Sequence, residues 1–286
     1  MRGVSPPEEG DRPLEVFRAL PGDMALRDAQ DLMAYPFFSL SKSHRTKPID
    51  YRGGAITIRV EATAEHGMAT IWDADILIWA ASQIIEARDA GLPTSRLMSA
   101  TPYEILRFIR RGTAAYDYLL LKAALDRLQS TTIATSIRQV TSRLHRSWIN
   151  EWKERATLQG RSLGLELILP DWFYAGVMER TLVLTIDPAY FDLTGGIERW
   201  LYRIVRKHGG RQPEGWRFDL PHLYLKSGSA SPYKGFAFVV RHIVARQSLP
   251  GYWLALERTR SRLEILHFRP SVVPTSAACK QPEGKL

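Results

Sequence analysis

The stretch Asp219-Leu220-Pro221-His222-Leu223-Tyr224-Leu225-Lys226-Ser227-Gly228-Ser229-Ala230-Ser231-Pro232-Tyr233-Lys234-Gly235-Phe236 decides how this chain is read. Phe218 to Lys226 reads as a short helix, with Asp219 as its cap and Pro221 in its first turn. Ser227-Gly228-Ser229-Ala230 has the composition of a tight turn. Ser231 then stands at an N-cap with Pro232 at the first helical position, and a second helix runs to about Gln247, before Pro250-Gly251. Phe236, Val239, Val240, Ile243 and Val244 form one apolar stripe along it. Lys234, Ala237, Phe238, Arg241 and Ala245 fall on the opposite face, with Arg246 beside them. Tyr252 to Glu257 and Leu263 to Phe268 read as two strands around the basic tip Arg258-Thr259-Arg260-Ser261-Arg262. Helix, turn, helix and hairpin in this order describe a winged helix-turn-helix.

Upstream, Ile197, Trp200, Leu201, Ile204 and Val205 recur at helical spacing, with Arg199, Arg203, Arg206 and Lys207 on the other face and Gly209-Gly210 at the end. That helix completes a three-helix unit. A similar order occurs earlier. A helix is expected from Trp72 to Ala90, where Asp73 or Asp75 is a candidate cap. Thr101-Pro102-Tyr103-Glu104 is a capping box that opens a second helix to Arg111. A third follows from Thr113 to about Gln129, with Leu119, Leu120, Ala123, Ala124 and Leu128 as its apolar stripe. Strand-like segments come next at Thr131 to Ile137, Ser147 to Lys153, Leu163 to Leu169 and Thr181 to Ile186. Tyr35 to Leu40 and Ala55 to Val60 also read as strands, around a basic loop from Lys42 to Arg52. The expected fold is therefore α+β, with two tandem winged-helix domains related by internal duplication. The expected divisions are a flexible N-terminal arm over 1–30, with a short helix around Val16 to Leu20, a first domain over 31–190, a second over 191–270, and a disordered tail over 271–286.

Charge divides the chain in the same place. Of 286 residues, 39 are Lys or Arg and 30 are Asp or Glu, a net charge of +9. Met1 to Tyr190 holds 23 basic and 23 acidic residues, whereas Phe191 to Leu286 holds 16 basic and 7 acidic. A neutral body joined to a basic third reads as a footprint for a polyanion. Nucleic acid is the favoured polyanion; an anionic membrane surface or a plain solvated face is the alternative.

The second unit suits duplex DNA. Arg241 has the fork that contacts guanine O6 and N7, and Lys234 can reach guanine or phosphate. Ser231, Tyr233 and the helix start suit phosphate oxygens. Arg246 flanks the helix, and Arg258, Arg260 and Arg262 on the hairpin suit phosphate or a minor groove. In the first unit, Thr113, Tyr116, Tyr118 and Lys122 are candidate phosphate contacts, but Asp117 and Asp126 lie beside them. That unit reads equally well as a packing or dimerisation module.

Other classes find little support. Hydrophobic residues make up 45% of the chain, which excludes disorder throughout. The longest strongly apolar run, Ile76 to Ala81, is too short to span a bilayer, and Met1 to Asp11 carries no apolar signal stretch, so the cytoplasm is the expected compartment. The lone Cys279 precludes an intrachain disulfide or a Cys-based zinc site. There is no P-loop, no His-x-His, no His-Glu-x-x-His and no Gly-x-Ser-x-Gly. No catalytic residue, metal site or cofactor is expected.

Several phrases carry a resemblance. They are Tyr35-Pro36-Phe37-Phe38-Ser39-Leu40-Ser41-Lys42, Gly67-Met68-Ala69-Thr70-Ile71-Trp72-Asp73-Ala74-Asp75, Thr101-Pro102-Tyr103-Glu104, Leu220 to Ser229, and Leu266-His267-Phe268-Arg269-Pro270. Over residues 15–270 the chain resembles the plasmid replication initiator protein A family, of the iteron-binding, double winged-helix type. The resemblance implies binding to repeated sites at a plasmid origin, opening of adjacent AT-rich DNA, and recruitment of the host replicative helicase and host initiator proteins. It also implies a homodimer that represses its own gene, with the first winged helix as dimer interface in one state and backbone-contacting module in another. A transcription repressor with the same DNA contacts is the nearest rival reading, and a nickase or nuclease is a more distant one.

Overall fold

A computed structural model of the chain describes residues 14–138, 145–156, 162–210 and 212–271. The expected arm enters the fold from Leu14 on. Val16 to Arg18 is strand β1 rather than a short helix, and it pairs in parallel with a later strand through Val16↔Leu97 and Arg18↔Ser99. Phe17 points into the core, 7% exposed, which fixes the strand. Strand β2 (Arg27–Ala29) and the single turn α1 (Gln30–Met33) follow, burying Ala29, Leu32 and Met33. Tyr35 to Leu40 forms no strand beyond an isolated bridge between Ser39 and Thr70. Instead the expected basic loop contains β3 (Ile49–Gly53), in which Ile49 and Tyr51 alternate inward. It pairs with β4 (Ile56–Glu61).

Helix α2 (Ala74–Asp89) is buried along most of its length, from Ala74 to Ala87. Asp73 stands at the N-cap position, but its side chain accepts no capping bond; the carboxylates of Asp73 and Asp75 instead hold arginines from other elements. Strand β5 (Leu97–Ala100) leads to α3 (Pro102–Phe108), where the capping box forms as expected. Glu104 N–H donates to Thr101 Oγ1 at 3.2 Å, and Thr101 N–H donates to Glu104 Oε2 at 2.6 Å. In α4 (Ala115–Ser130) the buried stripe is Leu121, Ala124, Leu125 and Leu128. Leu119 and Leu120, expected inside, are 62% and 44% exposed.

Strand β6 (Thr132–Thr135) completes a sheet of order β3-β4-β6. Strands β7 (Glu151–Ala156) and β8 (Ser162–Ile168) form a hairpin, and β8 also pairs with β5, giving the order β1-β5-β8-β7. Helix α5 (Asp171–Met178) packs on α2, and β9 (Val183–Thr185) pairs with β2.

The last third opens with α6 (Gly196–Gly209), whose Trp200, Leu201, Ile204 and Val205 are buried as their spacing requires. Strand β10 (Trp216–Asp219), helix α7 (Leu220–Ser227) and helix α8 (Tyr233–Arg246) follow. Strands β11 (Tyr252–Arg258) and β12 (Glu264–Pro270) close a sheet of order β10-β12-β11. The order helix, strand, helix, helix, hairpin occurs in α6-β10-α7-α8-β11-β12 and, with β6 inserted between the last helix and the hairpin, in α2-β5-α3-α4-β7-β8. The sheet orders match as well, β5-β8-β7 and β10-β12-β11. The short strands β2, β5 and β10 and the helices α1 and α5 have no counterpart among the elements expected from sequence. The expected tail beyond Ser271 lies outside the described residues.

Helix α6 joins the two runs. Arg199 donates through Nη1 to both oxygens of Asp75 in α2, each at 2.8 Å, and Arg203 donates to both oxygens of Asp28 in β2 at 2.8 and 3.1 Å. All four residues are at most 6% exposed. Desolvating these charges is costly, and only paired, hydrogen-bonded geometry offsets it. The face of α6 opposite its apolar stripe is therefore, at Arg199 and Arg203, a seam with the preceding part of the chain.

Candidate nucleic-acid interface

Helix α7 begins where Asp219 Oδ1 accepts from His222 N–H at 2.7 Å. It ends at Gly228, whose φ of 58° is costly for a residue with a side chain. The turn is seated on the first run: a Cβ on Gly228 would lie 2.7 Å from Pro36 Cβ, and Arg45 Nη1 donates to the Gly228 carbonyl at 2.8 Å. Ser227 Oγ donates to Tyr224 O at 2.7 Å and accepts from Ser229 N–H at 3.1 Å. Helix α8 starts at Tyr233, one turn position later than expected. Its N-cap is Pro232, not Ser231, and no side chain caps it. Ser231 is held in the turn, its carbonyl accepting from the Tyr224 hydroxyl at 2.9 Å.

Phe236, Ala237, Val240 and Ile243 seat α8 on the core. Ala237 therefore faces inward, contrary to the outward position expected for it. The exposed face carries Lys234, Phe238, Arg241, His242, Ala245 and Arg246. Phe238 is 67% exposed, an unusual position for a large apolar ring unless something covers it. Tyr233, 38% exposed, packs edge-on against Tyr224 at 5.5 Å.

Arg241 is not free. Its Nε donates to Glu264 Oε1 at 3.0 Å and its Nη2 to Glu264 Oε2 at 2.7 Å. Arg258 Nη2 approaches the same carboxylate at 3.4 Å. The Arg241 hydrogen bonds hold the Glu264 carboxyl below the usual carboxylate range, with burial opposing them. The hairpin runs in register from Tyr252↔Pro270 to Arg258↔Glu264. At its tip Thr259 N–H donates to Leu263 O at 2.9 Å, and Arg262 takes a left-handed φ of 62°. Arg260 and Arg262 project there, and Lys234 and Arg246 stand on α8; all four are exposed and have no carboxylate partner among the described residues. These four cations and the exposed α8 face lie in one unit.

Five other basic residues of the last third are committed to contacts within the fold. Arg199 and Arg203 are buried in the seam, and Arg206 Nε donates to Thr185 O at 2.7 Å. Lys207 and Lys226 sit over the Tyr35 ring at 5.2 and 4.8 Å, and burial pushes both amines below their ordinary range. The charge surplus of this third thus overstates the cations that face solvent.

The stretch from α2 to β8 offers fewer free cations, although Lys42, Lys47 and Arg52 before it are exposed as well. Lys122 Nζ is paired with Glu154 of β7 at 2.6 Å. Lys153 and Arg155 both bind Glu166, at 3.1 and 3.0 Å. Thr113 is half-buried before α4, and Tyr118 packs against the core. Tyr116 is 68% exposed and stands with Leu119 and Leu120 in an apolar patch. Of the four candidate contacts in this run, Tyr116 has the most open ring. Among the described residues no group of three or more His, Cys, Asp or Glu is placed to hold a metal ion. No helix of the described residues is long and apolar enough to cross a membrane.

Sequence reasoning missed Glu264, Asp28 and Asp75 as partners. Glu264 had a readable signal: hairpin pairing places it across from Arg258, at the foot of the basic tip. Asp28 and Asp75 had none, because their partners lie more than a hundred residues away.

Residues 27–254 match the family model described as replication initiator protein A. A protein of Wigglesworthia glossinidia brevipalpis described as a putative replication protein is 33% identical over 226 residues, 77% of this chain and 81% of that protein. Among solved structures, a selenomethionine crystal structure of domains 2 and 3 of RctB aligns with a TM-score of 0.61 at 11% identity, covering 84% of this chain and 98% of that one. A second structure of RctB domains 2 and 3 aligns with a TM-score of 0.56, also at 11% identity, over 85% of this chain and 96% of the other. At that identity the likeness is one of fold.

Proposed function

This chain belongs to the replication initiator protein A family, and from that membership we propose that it initiates replication by binding duplex DNA through α8 and the β11–β12 hairpin. The observation that carries the reading is the set of exposed cations Lys234, Arg246, Arg260 and Arg262, without carboxylate partners among the described residues, on α8 and the hairpin that follows it. We read both runs of helix, strand, helix, helix and hairpin as winged helices arising by duplication, the first over 31–190 and the second over 191–270. Helix α8 then enters the major groove while Arg260 and Arg262 contact backbone or minor groove. The first unit, with its compensated charges and exposed Tyr116, Leu119 and Leu120, serves self-association more than phosphate binding. In this reading the protein acts in the bacterial cytoplasm, without chemistry of its own. It binds repeated sites at an origin, forms a homodimer that represses its own gene, and recruits the host helicase and initiator.

Fluorescence anisotropy with labelled DNA flanking the chain's own gene tests the reading, against scrambled DNA over a salt series. Four phosphate contacts would give a log–log salt slope of about −3.6. Specific binding is expected, and Arg260→Ala with Arg262→Ala should weaken both DNAs and flatten the slope by about 2. Equal affinity for both DNAs, or an unchanged slope in the double variant, contradicts it.

A further inference from the structure

The pairing of Arg241 with Glu264 leaves a defined part of the guanidinium unused. A guanidinium carries five N–H donors in a fixed plane. Nε–H and one proton of Nη2 are taken by the two carboxylate oxygens, at 3.0 and 2.7 Å. The second Nη2 proton and both Nη1 protons remain. The free Nη2 proton and one of the Nη1 protons point along the terminal Nη1–Nη2 edge, whose spacing matches O6 and N7 of guanine. We propose that Glu264 is a positioning residue for DNA reading: it holds Arg241 so that this terminal edge is presented to a guanine in the major groove. The inference rests on the reading of α8 as the groove-facing helix.

Three features of the site agree with this role. The Arg241 side chain is 45% exposed, so the unused edge is open, whereas the Glu264 side chain is 10% exposed and fixed. Glu264 is the first residue of β12 and sits across from Arg258, so the hairpin itself sets its place. Arg258 Nη2 reaches Oε1 of the same carboxylate at 3.4 Å, so residues of both hairpin strands meet α8 there. An unbraced arginine would have to be ordered on binding; here the ordering is already made. The carboxylate also cancels one positive charge at the groove-facing surface. It therefore opposes attraction to arbitrary phosphates while supporting one base contact.

That combination separates a positioning role from a structural one. Losing a structural brace weakens binding to all DNAs. Losing Glu264 as a positioner strengthens binding to arbitrary DNA and lowers discrimination. The full chain is used to select a duplex from a random-sequence pool, and affinities for that duplex and a scrambled one are compared at fixed salt. Arg241→Ala should reduce the affinity ratio about 5- to 150-fold. Glu264→Gln keeps the shape and one acceptor oxygen but loses the charge; it should bind scrambled DNA more tightly than wild type and lose the ratio at least about fivefold. Replacing single guanines by 7-deazaguanine should reproduce the loss at one position in wild type and cost nothing further in Arg241→Ala. Should Glu264→Gln melt early, Arg241→Lys gives the same test, since it keeps the charge without the fork; its ratio should fall as far as that of Arg241→Ala. Loss of the ratio in Arg241→Ala but not in Glu264→Gln, or in a folded Arg241→Lys, overturns the positioning role and leaves the α8 reading standing. A wild-type ratio in Arg241→Ala, or failure to select any duplex, overturns the α8 reading and the proposal together.

Discussion

Asp75→Asn probes how α6 is fastened to the first run, and its cost follows from the geometry. Asp75 has no exposed surface. Its oxygens accept from Arg199 Nη1 at 2.8 and 2.8 Å and from Arg111 Nη2 at 3.0 Å. Arg199, 4% exposed, also donates to the carbonyls of Leu193 and Phe191 at 2.7 and 2.8 Å, so it cannot swing out to water without losing those bonds. A neutral amide at position 75 leaves that guanidinium buried without a countercharge. Removing one partner of a buried pair costs about 3–5 kcal/mol. With a urea slope of about 3 kcal/mol/M, the unfolding midpoint should fall by about 1–1.7 M. Asp75→Leu combined with Arg199→Met removes both buried charges and should recover much of the loss, because an apolar pair of similar volume is often as stable as the ion pair it replaces. Urea unfolding followed by tryptophan fluorescence on wild type, Asp75→Leu, Arg199→Met and their double variant gives the coupling energy directly, with Asp75→Asn measured beside them. Losses that simply add, or an Asp75→Asn variant within about 0.5 kcal/mol of wild type, would refute the claim that this contact fastens the seam.

Other parts of the structure make independent predictions. Gly228→Ala places a side chain at φ 58° and 2.7 Å from Pro36 Cβ; it should cost about 1–3 kcal/mol by thermal melting, and an unchanged melting temperature would mean the turn is not seated there. Leu121→Ala should cost about 2–5 kcal/mol and Leu119→Glu less than about 0.5, and equal losses would contradict the rotation of α4. Burial, with Lys207, Lys226 and His222 nearby, pushes His208 down to about 4. Its imidazole proton resonances should stay flat between about pH 5.5 and 8, and a midpoint near 6.5 would place the ring in water. Because the unfolded chain takes a proton on His208 that the folded chain refuses, this residue's contribution to stability falls as pH drops from about 6.5 toward 4.

What could be read from sequence was local. Asp219, Pro221 and the Thr101–Glu104 box mark helix starts by satisfying backbone N–H groups within three residues, and all of these appear in place. The α6 stripe was equally clear, because Trp200, Leu201, Ile204 and Val205 have one helical phase. Helix α4 was ambiguous: Leu119-Leu120-Leu121 and Ala123-Ala124-Leu125 offer two overlapping stripes, and only packing chooses the one through Leu121 and Leu125. Strands β5 and β10 have four residues each, too few to show a period, and they exist through their partners β8 and β12. Periodicity also says which face of α6 is apolar but not what covers the other. Arg199 and Arg203 therefore read as part of a basic face, although Asp75 and Asp28 pair with them in the core. The same limit hid the partner of Arg241, since Glu264 meets it only once the hairpin folds back on α8.

Site-specific photocrosslinking tests the central claim most directly. A benzoyl-phenylalanine placed at position 238 on α8 replaces a ring already 67% exposed, and one at position 116 on α4 replaces a ring 68% exposed. With wild-type-like binding to DNA flanking the chain's own gene, the account predicts a crosslink to DNA from position 238, mapped to one groove face of the site, and little from position 116. Crosslinking from position 116 with none from 238 would contradict it and move the DNA-reading surface to the first unit.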